Sequence, residues 1–363
     1  MRPEAWEAME RVRETFGNPS GVHEISRSAK NELEETRERA AELIGAARPS
    51  EIVFAAGGTE ADNLAVVGAA LAGGGPTHVV VSAVEHKAVL ESAQFVERLG
   101  GRASVVSVDR AGVVDPGRVR AAVAEDTALV SVMLANNETG ALQPVEEIAA
   151  AVHAAHSDTL VHTDAVQAFI SEPVDVGALG VDLLSLAAHK FGGPKGVGLL
   201  YVRGGVRLEP VLHGGSQEMG RRAGTQNPMG VAGMVAAMEA TVADRPSFRE
   251  RVAAARDTFE RQLAAAIPGL RVNGPADRLV QHSHLGFPGQ RSETLLIRFD
   301  RAGLAAAAGS ACQSGAVEVS HVLAAMGMRE SEAAESVRFS FGWTSRPDDA
   351  EAAAKIVIEG NRS

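Results

Sequence analysis

The chain of 363 residues has a single cysteine, so it can form no intramolecular disulfide. It also lacks an apolar run long enough to cross a bilayer, and a basic and then apolar N-terminal stretch of the kind that directs secretion. Positive charge is in deficit, because the formal net charge is -11 at pH 7, which argues against binding to nucleic-acid phosphates. These absences predict a cytoplasmic protein with neither a membrane nor a nucleic-acid partner.

The sequence predicts an α/β fold with a smaller α+β C-terminal domain. Short β-branched runs alternate with helix-length segments from residue 51 to residue 202, which favours a mostly parallel central sheet with helices on both faces. The predicted strands are 51–55, 78–82, 103–108, 128–134, 160–164, 183–186 and 198–202. Beyond them we predict helices over 231–242 and 248–266 separated by a break at 244–247, and strands over 293–298 and 337–341. The predicted domains are 13–246, and 1–12 together with 247–363.

Lysine is scarce, since only five of the 35 basic residues are lysines. Lys190 lies in Ala188-His-Lys-Phe-Gly-Gly-Pro-Lys-Gly196, directly after a predicted strand. The glycines leave the backbone open, so a planar ligand could approach the lysine amine. The alternative is an ordinary surface lysine beside a turn.

Polar groups follow several other predicted strands. Asp164, in His162-Thr-Asp-Ala-Val-Gln167, could pair with a protonated ring nitrogen as pyridoxal phosphate requires, or could cap a helix. Gly57-Gly-Thr-Glu-Ala-Asp-Asn63 opens a helix after a strand, so its amides and the Thr59 hydroxyl could bind an anion. His86 and the segment 136–140 also follow strands, and an imidazole could stack on a ring and move protons.

The single cysteine, Cys312, lies in Gly309-Ser-Ala-Cys-Gln-Ser-Gly315, a stretch of small residues without apolar periodicity. A thiol on such a segment is accessible, and its thiolate can act as a nucleophile. The alternative is a small buried hydrophobic residue.

These motifs, together with Gly17-Asn-Pro-Ser20, Ala135-Asn-Asn-Glu138 and Arg222-Ala-Gly-Thr225, resemble those of the cysteine desulfurases of the NifS/IscS type. Those proteins are fold-type I pyridoxal phosphate enzymes allied to the class V aminotransferases. The motifs occur in the same order over essentially the whole chain. The resemblance implies a homodimer that converts L-cysteine to L-alanine, keeps the sulfur as a persulfide, and delivers it to an acceptor or scaffold protein.

The resemblance also implies residue roles, with no metal. Lys190 would bind pyridoxal 5'-phosphate as a Schiff base, and Cys312 would take the sulfur. The other implied cofactor contacts are Asp164 to the pyridine nitrogen, Gln167 to the phenolic oxygen, His86 stacked on the ring, Gly58, Thr59 and His189 at the phosphate, and Thr225 from the neighbouring subunit. Asn137 and Arg338 would orient the substrate, with Arg338 clamping its carboxylate.

Several positions depart from the family pattern. The N-terminal strand and Ala-Thr-Thr turn of the relatives have no counterpart before Arg2, which predicts a more open pocket or a shortened chain. Ala187 stands where many relatives have a phosphate-binding serine, Gln226 where glutamate is common, and Trp343 where arginine is frequent.

The run 310–327 resembles the longer cysteine loop of the IscS-like group. Alternative functions are a selenocysteine lyase, another class V pyridoxal phosphate enzyme, or a weakly active partner-binding subunit.

Overall fold

The structure, a computed structural model, describes residues 1–308 and 320–362. The chain forms two compact units. The first unit comprises residues 1–106, 115–134 and 144–244, and the second comprises 107–114, 135–143 and 245–363. The predicted domain boundaries stay a prediction, although helix α1 (Pro3–Val12) belongs to the first unit, where Ala8 and Val12 pack against Ala232 and Ala236.

The first unit is built on a seven-stranded sheet. Its strands are β1 Ile52–Ala55, β2 His78–Ser82, β3 Arg102–Val106, β4 Thr127–Ser131, β5 Leu160–Asp164, β6 Leu183–Ala187 and β7 Gly198–Val202. Their spatial order is β1-β7-β6-β5-β4-β2-β3, and only β7 runs antiparallel to its neighbours. The prediction of a mostly parallel α/β sheet is therefore confirmed, with strand ends that differ by up to three residues.

Helices cover this sheet and complete its core. The remaining helices of the first unit are α2 Glu24–Leu43, α3 Gly58–Leu71, α4 Lys87–Arg98, α5 Pro116–Ala122, α6 Val145–Ala155 and α7 Val176–Leu179. Short 3-10 helices cover Pro49–Glu51, Ala188–Phe191 and Glu218–Gly220. Helix α3 carries the apolar side chains Leu64 and Val66 into a core shared with Val79 and Leu200 of the sheet. Burying these apolar side chains stabilises the sheet, because it removes apolar surface from contact with water.

The sheet topology brings the polar strand ends to one edge. In the register, Ala55 at the end of β1 and Ala187 at the end of β6 both pair with Gly198. Because β7 is antiparallel to both neighbours, β1 and β6 end at the same edge, and β2, β4 and β5 end there too. Ligands of open α/β sheets bind at this edge.

The second unit contains a small antiparallel sheet. Its strands β8 Arg271–Val272, β9 His282–Gly286 and β10 Ser336–Ser340 have the order β10-β9-β8. Its helices are α9 Ser292–Arg301, α10 His321–Ala325, α11 Glu330–Ala333 and α12 Pro347–Arg362. Phe259, Phe287, Phe299 and Phe339 meet edge-on or tilted in its core, with ring centroids 5.0 to 6.4 Å apart.

Two sequence predictions about this region are wrong. The predicted break at 244–247 lies inside one helix, α8 (Pro228–Ala266), which contains Pro246. A proline removes one helical hydrogen bond, but the helix continues through it, and Thr241 and Phe248 on either side are buried. The predicted strand 293–298 belongs to helix α9, because its apolar residues Leu295 and Phe299 recur at helical spacing.

In the part of the chain that the structure describes, no helix is both long and apolar enough to cross a membrane.

Candidate active site

Asp164 is the buried carboxylate at the end of β5. Its Oδ1 accepts a hydrogen bond from the Val166 amide at 2.9 Å. Burial raises the pKa of Asp164, while that hydrogen bond and the charges of His86 and Lys190 lower it. The structure thus brings three of the predicted site residues into electrostatic contact within the first unit.

A second buried layer lies beneath Asp164. The ring of His162 is held between the hydroxyls of Ser131, 2.8 Å from Nδ1, and Ser185, 2.9 Å from Nε2. Burial lowers the pKa of His162 to about 3, so this imidazole is neutral. Burial, and then the charge of Asp164, raises the pKa of Asp62 well above its ordinary value. Of the two aspartates, Asp164 is the more easily ionised, since the interactions with His86 and Lys190 lower its pKa.

Lys190 and His189 lie in the 3-10 helix that follows β6. Both side chains are exposed, and the helix ends at Phe191, before Gly192, whose φ of 92° favours glycine. Partial burial, and then the charges of Lys190 and Lys195, lowers the pKa of His189. A neutral His189 can donate a hydrogen bond to an anion without adding charge.

His86 is the N-cap residue of α4. Its Nδ1 accepts a hydrogen bond from the Ala88 amide at 3.1 Å, which orients the exposed ring. The preceding residue, Glu85, is buried and accepts hydrogen bonds from the Ser82 hydroxyl at 2.6 Å and the Met133 amide at 2.7 Å. Burial raises the pKa of Glu85 to about 8.

A cavity of about 640 Å³ opens at the start of α3. It is lined by residues 56–60, 63, 64, 189, 195, 196, 211, 212, 221 and 222. Gly57 is the N-cap of this 14-residue helix and offers no side-chain cap, so the first-turn amides of Gly58 and Thr59 and the positive helix end face the cavity. These first-turn residues, the cradle, are the ones for which the sequence predicts a phosphate site, and that site stays a prediction.

Close packing fixes the cradle. A Cβ on Gly58 would lie 3.0 Å from Val166 Cγ2, and a Cβ on Gly198 would lie 2.6 Å from the Gly57 carbonyl carbon. The two glycines therefore let the cradle approach both β7 and the turn after Asp164.

The sequence predicted no function for three cationic residues of the cavity. Lys195 and Arg221 line it, and Arg222 does so while its guanidinium donates to both carboxylate oxygens of Glu60, at 2.7 and 3.2 Å. Lysine scarcity and the adjacent arginine pair were the sequence signals that could have indicated them. Thr225 is exposed and is not among the cavity residues, and Gln167 lies half-buried after β5.

The second unit brings together the two predicted substrate residues. Arg338 Nη1 donates to the Asn137 carbonyl oxygen at 2.9 Å. Burial lowers the pKa of Arg338, and the charge of Glu138 opposes that change. Asn136 shapes the turn, because its Oδ1 accepts from the Glu138 and Thr139 amides at 2.9 Å each.

Cys312 lies outside the described residues, as does the rest of 309–319. The chain on either side is bonded to the turn and strand that hold the substrate residues. Ala307 exchanges two backbone hydrogen bonds with Arg338, at 2.7 and 3.1 Å. The Ser320 hydroxyl donates to Glu138 Oε2 at 2.6 Å.

Residues 3–352 match the sequence profile of the family described as aminotransferase class-V. The chain belongs to the class-V aminotransferase family. This class-V protein is 42% identical over 352 residues to a cysteine desulfurase IscS of Dictyoglomus turgidum, covering 96% of this chain and 89% of the relative. It is 40% identical over 362 residues to a cysteine desulfurase IscS of Methanosarcina thermophila, covering 99% and 89%.

Solved structures agree with these relatives. A NifS-like protein superimposes with a TM-score of 0.91 and 34% identity, covering 99% of this chain and 95% of the other. A structure described as SspA in complex with cysteine gives a TM-score of 0.82 and 32% identity, covering 94% and 95%. The predicted resemblance to cysteine desulfurases and the fold-type I architecture are therefore confirmed.

Proposed function

We propose that this class-V protein is a cysteine desulfurase that moves the sulfur of L-cysteine to Cys312, releases L-alanine, and passes the sulfur to an acceptor protein. The observation that carries the proposal is the buried Asp164 carboxylate set against His86 and Lys190, beside an anion cradle of the same unit. The relatives named as cysteine desulfurases supply the reaction class.

The residues of the first unit fit pyridoxal 5'-phosphate. Asp164 would pair with the pyridine nitrogen, Gln167 with the phenolic oxygen, and Lys190 would anchor the aldehyde carbon. Gly58, Thr59 and His189 would hold the phosphate at the α3 N-terminus, where amides and the helix dipole favour an anion. When bound, the cofactor supplies an electron sink that weakens the bond between the substrate's Cβ and its sulfur.

The chain's own side chains perform the rest of the reaction. Arg338 binds the substrate carboxylate through two parallel N–H donors, and Asn137 lies against it to fix its direction. Lys190 Nζ moves the proton at the substrate Cα, and His86, which would stack on the cofactor ring, assists the proton transfer.

Cys312 completes the transfer of sulfur. Its thiolate attacks the substrate sulfur, an S–S bond forms, and the C–S bond breaks. The electron pair stays on the substrate carbon, which takes a proton and becomes the methyl group of alanine. Cys312 is oxidised to the persulfide while that carbon is reduced, so no external oxidant is needed.

A homodimer is part of the proposal. Several large apolar side chains of the N-terminal region are strongly exposed, with Phe16 at 94%, Val22 at 88%, Ile25 at 61% and Trp6 at 59%. Large apolar side chains that are exposed together mark protein interfaces where they form one patch, and the proposed dimer would cover these four. In the proposed dimer, the exposed Thr225 serves the phosphate of the neighbouring subunit.

The test uses the single cysteine. Protein incubated with ³⁵S-labelled L-cysteine should release one alanine for each labelled sulfur bound, and a thiol reductant should remove the label. Cys312→Ser should bind no reducible label, and no other cysteine can substitute for it. Alanine formation without label on Cys312 would refute the persulfide step. Strong activity on selenocysteine with none on cysteine would indicate a selenocysteine lyase, and cofactor absorbance without product a partner-binding subunit.

A further inference from the structure

Glu218 and Met219 have an unusual backbone conformation. Their φ values of 48° and 57° make them the only non-glycine residues with positive φ among those the structure describes. Side chains other than glycine pay a steric cost in this left-handed region, and such strain persists only where surrounding contacts hold it. The contacts of Glu218 identify what holds it here.

The Glu218 carboxylate forms a buried ion pair that is attached to strand β1. Arg37 donates to both of its oxygens, at 2.7 and 2.9 Å, and the two side chains are 4% and 0% exposed. Glu218 also accepts from the Phe54 amide at 2.9 Å, and Arg37 donates to the Ile52 carbonyl at 2.7 Å. The Arg37 guanidinium also lies over the Phe54 ring, 4.7 Å from its centroid. Strand β1 leads directly into the anion cradle at 57–59.

The same residue also adjoins a second wall of the cavity, formed by Arg221 and Arg222. Arg221 and Arg222, which line it, follow the 3-10 helix of Glu218 without interruption. Glu218 Oε1 accepts from Gln226 Nε2 at 3.3 Å, and Gln217 Oε1 accepts from the Gly224 amide at 3.0 Å. The segment that carries Thr225 is therefore held on both sides of that residue.

Neither Glu218 nor Arg37 lines the cavity. Glu218 instead bonds to Phe54, 164 residues away in sequence, on the strand that enters the cradle. It also bonds to Gln226, 8 residues away, on the segment that carries the two cavity arginines. A buried pair of this kind is costly to break, because without Glu218 the buried Arg37 keeps only the half-exposed Glu34 carboxylate, 3.3 Å from its Nε.

We infer that Glu218 and Arg37 are positioning residues that set the spacing of the two cavity walls, and so give the site its preference for the phosphorylated cofactor over unphosphorylated pyridoxal. The inference rests on the cofactor site proposed above. If the pair is broken, the cradle amides and the arginine segment are no longer held at one spacing. The phosphate then loses contacts, whereas the pyridine contacts of Asp164 on β5 keep their place.

A purely structural role predicts something different. Loss of folding stability lowers the apparent affinity of every ligand that binds only the folded state, and it does so by the same factor. A positioning role changes the ratio between two ligands that differ only in the phosphate. That ratio, with the affinity for inorganic phosphate itself, is therefore the quantity to measure.

The experiment uses the full chain freed of cofactor, with pyridoxal 5'-phosphate, pyridoxal and inorganic phosphate as probes in equilibrium dialysis. Glu218→Gln should lower the affinity ratio of pyridoxal 5'-phosphate to pyridoxal by about tenfold or more, the worth of one charge-assisted hydrogen bond. It should lower the affinity for inorganic phosphate by a similar factor. Since this variant can fold poorly, Glu218→Gln with Met219→Gly removes part of the backbone strain, and should recover thermal stability without recovering the ratio.

The matched control is Glu239→Gln, which breaks the pair of Glu239 with Arg39 on the same helix as Arg37. That pair is also bidentate, at 2.7 and 3.1 Å, but its side chains are 45% and 40% exposed. The control should leave the ratio unchanged. Equal ratios in wild type and both Glu218 variants overturn the inference alone. A wild type that does not prefer pyridoxal 5'-phosphate overturns the cofactor proposal as well.

Discussion

Replacing Glu85 by glutamine should abolish a large part of the pH dependence of stability. The carboxylate is fully buried, and burial raises its pKa from an ordinary value of 4.5 to about 8. Between these two pH values the unfolded chain releases the Glu85 proton and the folded chain keeps it. Ionisation therefore favours unfolding as the pH rises through this window, and the wild type loses stability there.

The expected size follows from the same two values. Between pH 4.5 and about 8, each pH unit changes the equilibrium constant of unfolding about tenfold, so the full loss is on the order of 5 kcal/mol by pH 8, and the curve is flat above it. Glutamine copies the neutral form and can still accept from the Ser82 hydroxyl and the Met133 amide. The Glu85→Gln variant should therefore gain stability relative to wild type as the pH rises.

The assay is urea unfolding of wild type and Glu85→Gln at pH 5, 7 and 9, with the same cofactor concentration throughout. Glu91→Gln, on the exposed part of the neighbouring helix α4, is the control for a change of one carboxylate. The difference between Glu85→Gln and wild type should grow by several kcal/mol from pH 5 to pH 9. Parallel stability curves over this range would refute the assignment of a neutral, buried Glu85.

Three further predictions concern the two units. Arg338→Lys should raise KM for L-cysteine about tenfold with a smaller change in kcat, because lysine lacks the planar fork that binds a carboxylate bidentately, and steady-state kinetics measure both. Gly198→Ala should lower the free energy of unfolding by about 1–3 kcal/mol and weaken cofactor binding, since the new Cβ meets the Gly57 backbone at 2.6 Å. Ser320→Ala should slow labelling of Cys312 and cost about 1–3 kcal/mol, because it leaves the buried Glu138 carboxylate without its 2.6 Å donor.

Each of these three substitutions has a control or a result that would contradict the prediction. Gly73→Ala, where a new Cβ meets nothing within 4 Å, should leave stability and cofactor binding unchanged. An unaltered KM in Arg338→Lys would remove Arg338 from the substrate site. Labelling of Cys312 at the wild-type rate in Ser320→Ala would show that the Glu138 bond does not serve sulfur transfer.

Local patterns in the sequence were sufficient for the framework of the first unit. The strands with β-branched runs, such as 78–82, 160–164 and 198–202, fold where periodicity predicts them, because a strand buried on both faces needs a continuous apolar run. The cradle at 57–59 and the placement of Asp164 and Lys190 at strand ends also follow from local order. Parallel strands then bring those ends to one edge.

Two predictions from the sequence are wrong because tertiary packing decides the structure of these segments. The segment 293–298 has strand-forming residues and folds as helix α9, since the second unit buries Leu295 and Phe299 on one side of it. Pro246 predicts a break, yet α8 continues through it between buried neighbours. Intrinsic propensity is a weak prior that tertiary contacts override.

The sequence by itself determined which residue types stand at the strand ends, and thereby the family and the chemistry it implies. The tertiary structure alone decided which of those groups are charged, because burial, and not residue type, raises the pKa of Asp62 and Glu85 and lowers that of His162. It also decided that Arg37 and Glu218, 181 positions apart, form one buried pair. Such partners are set by three-dimensional proximity, which residue order along a chain does not encode locally.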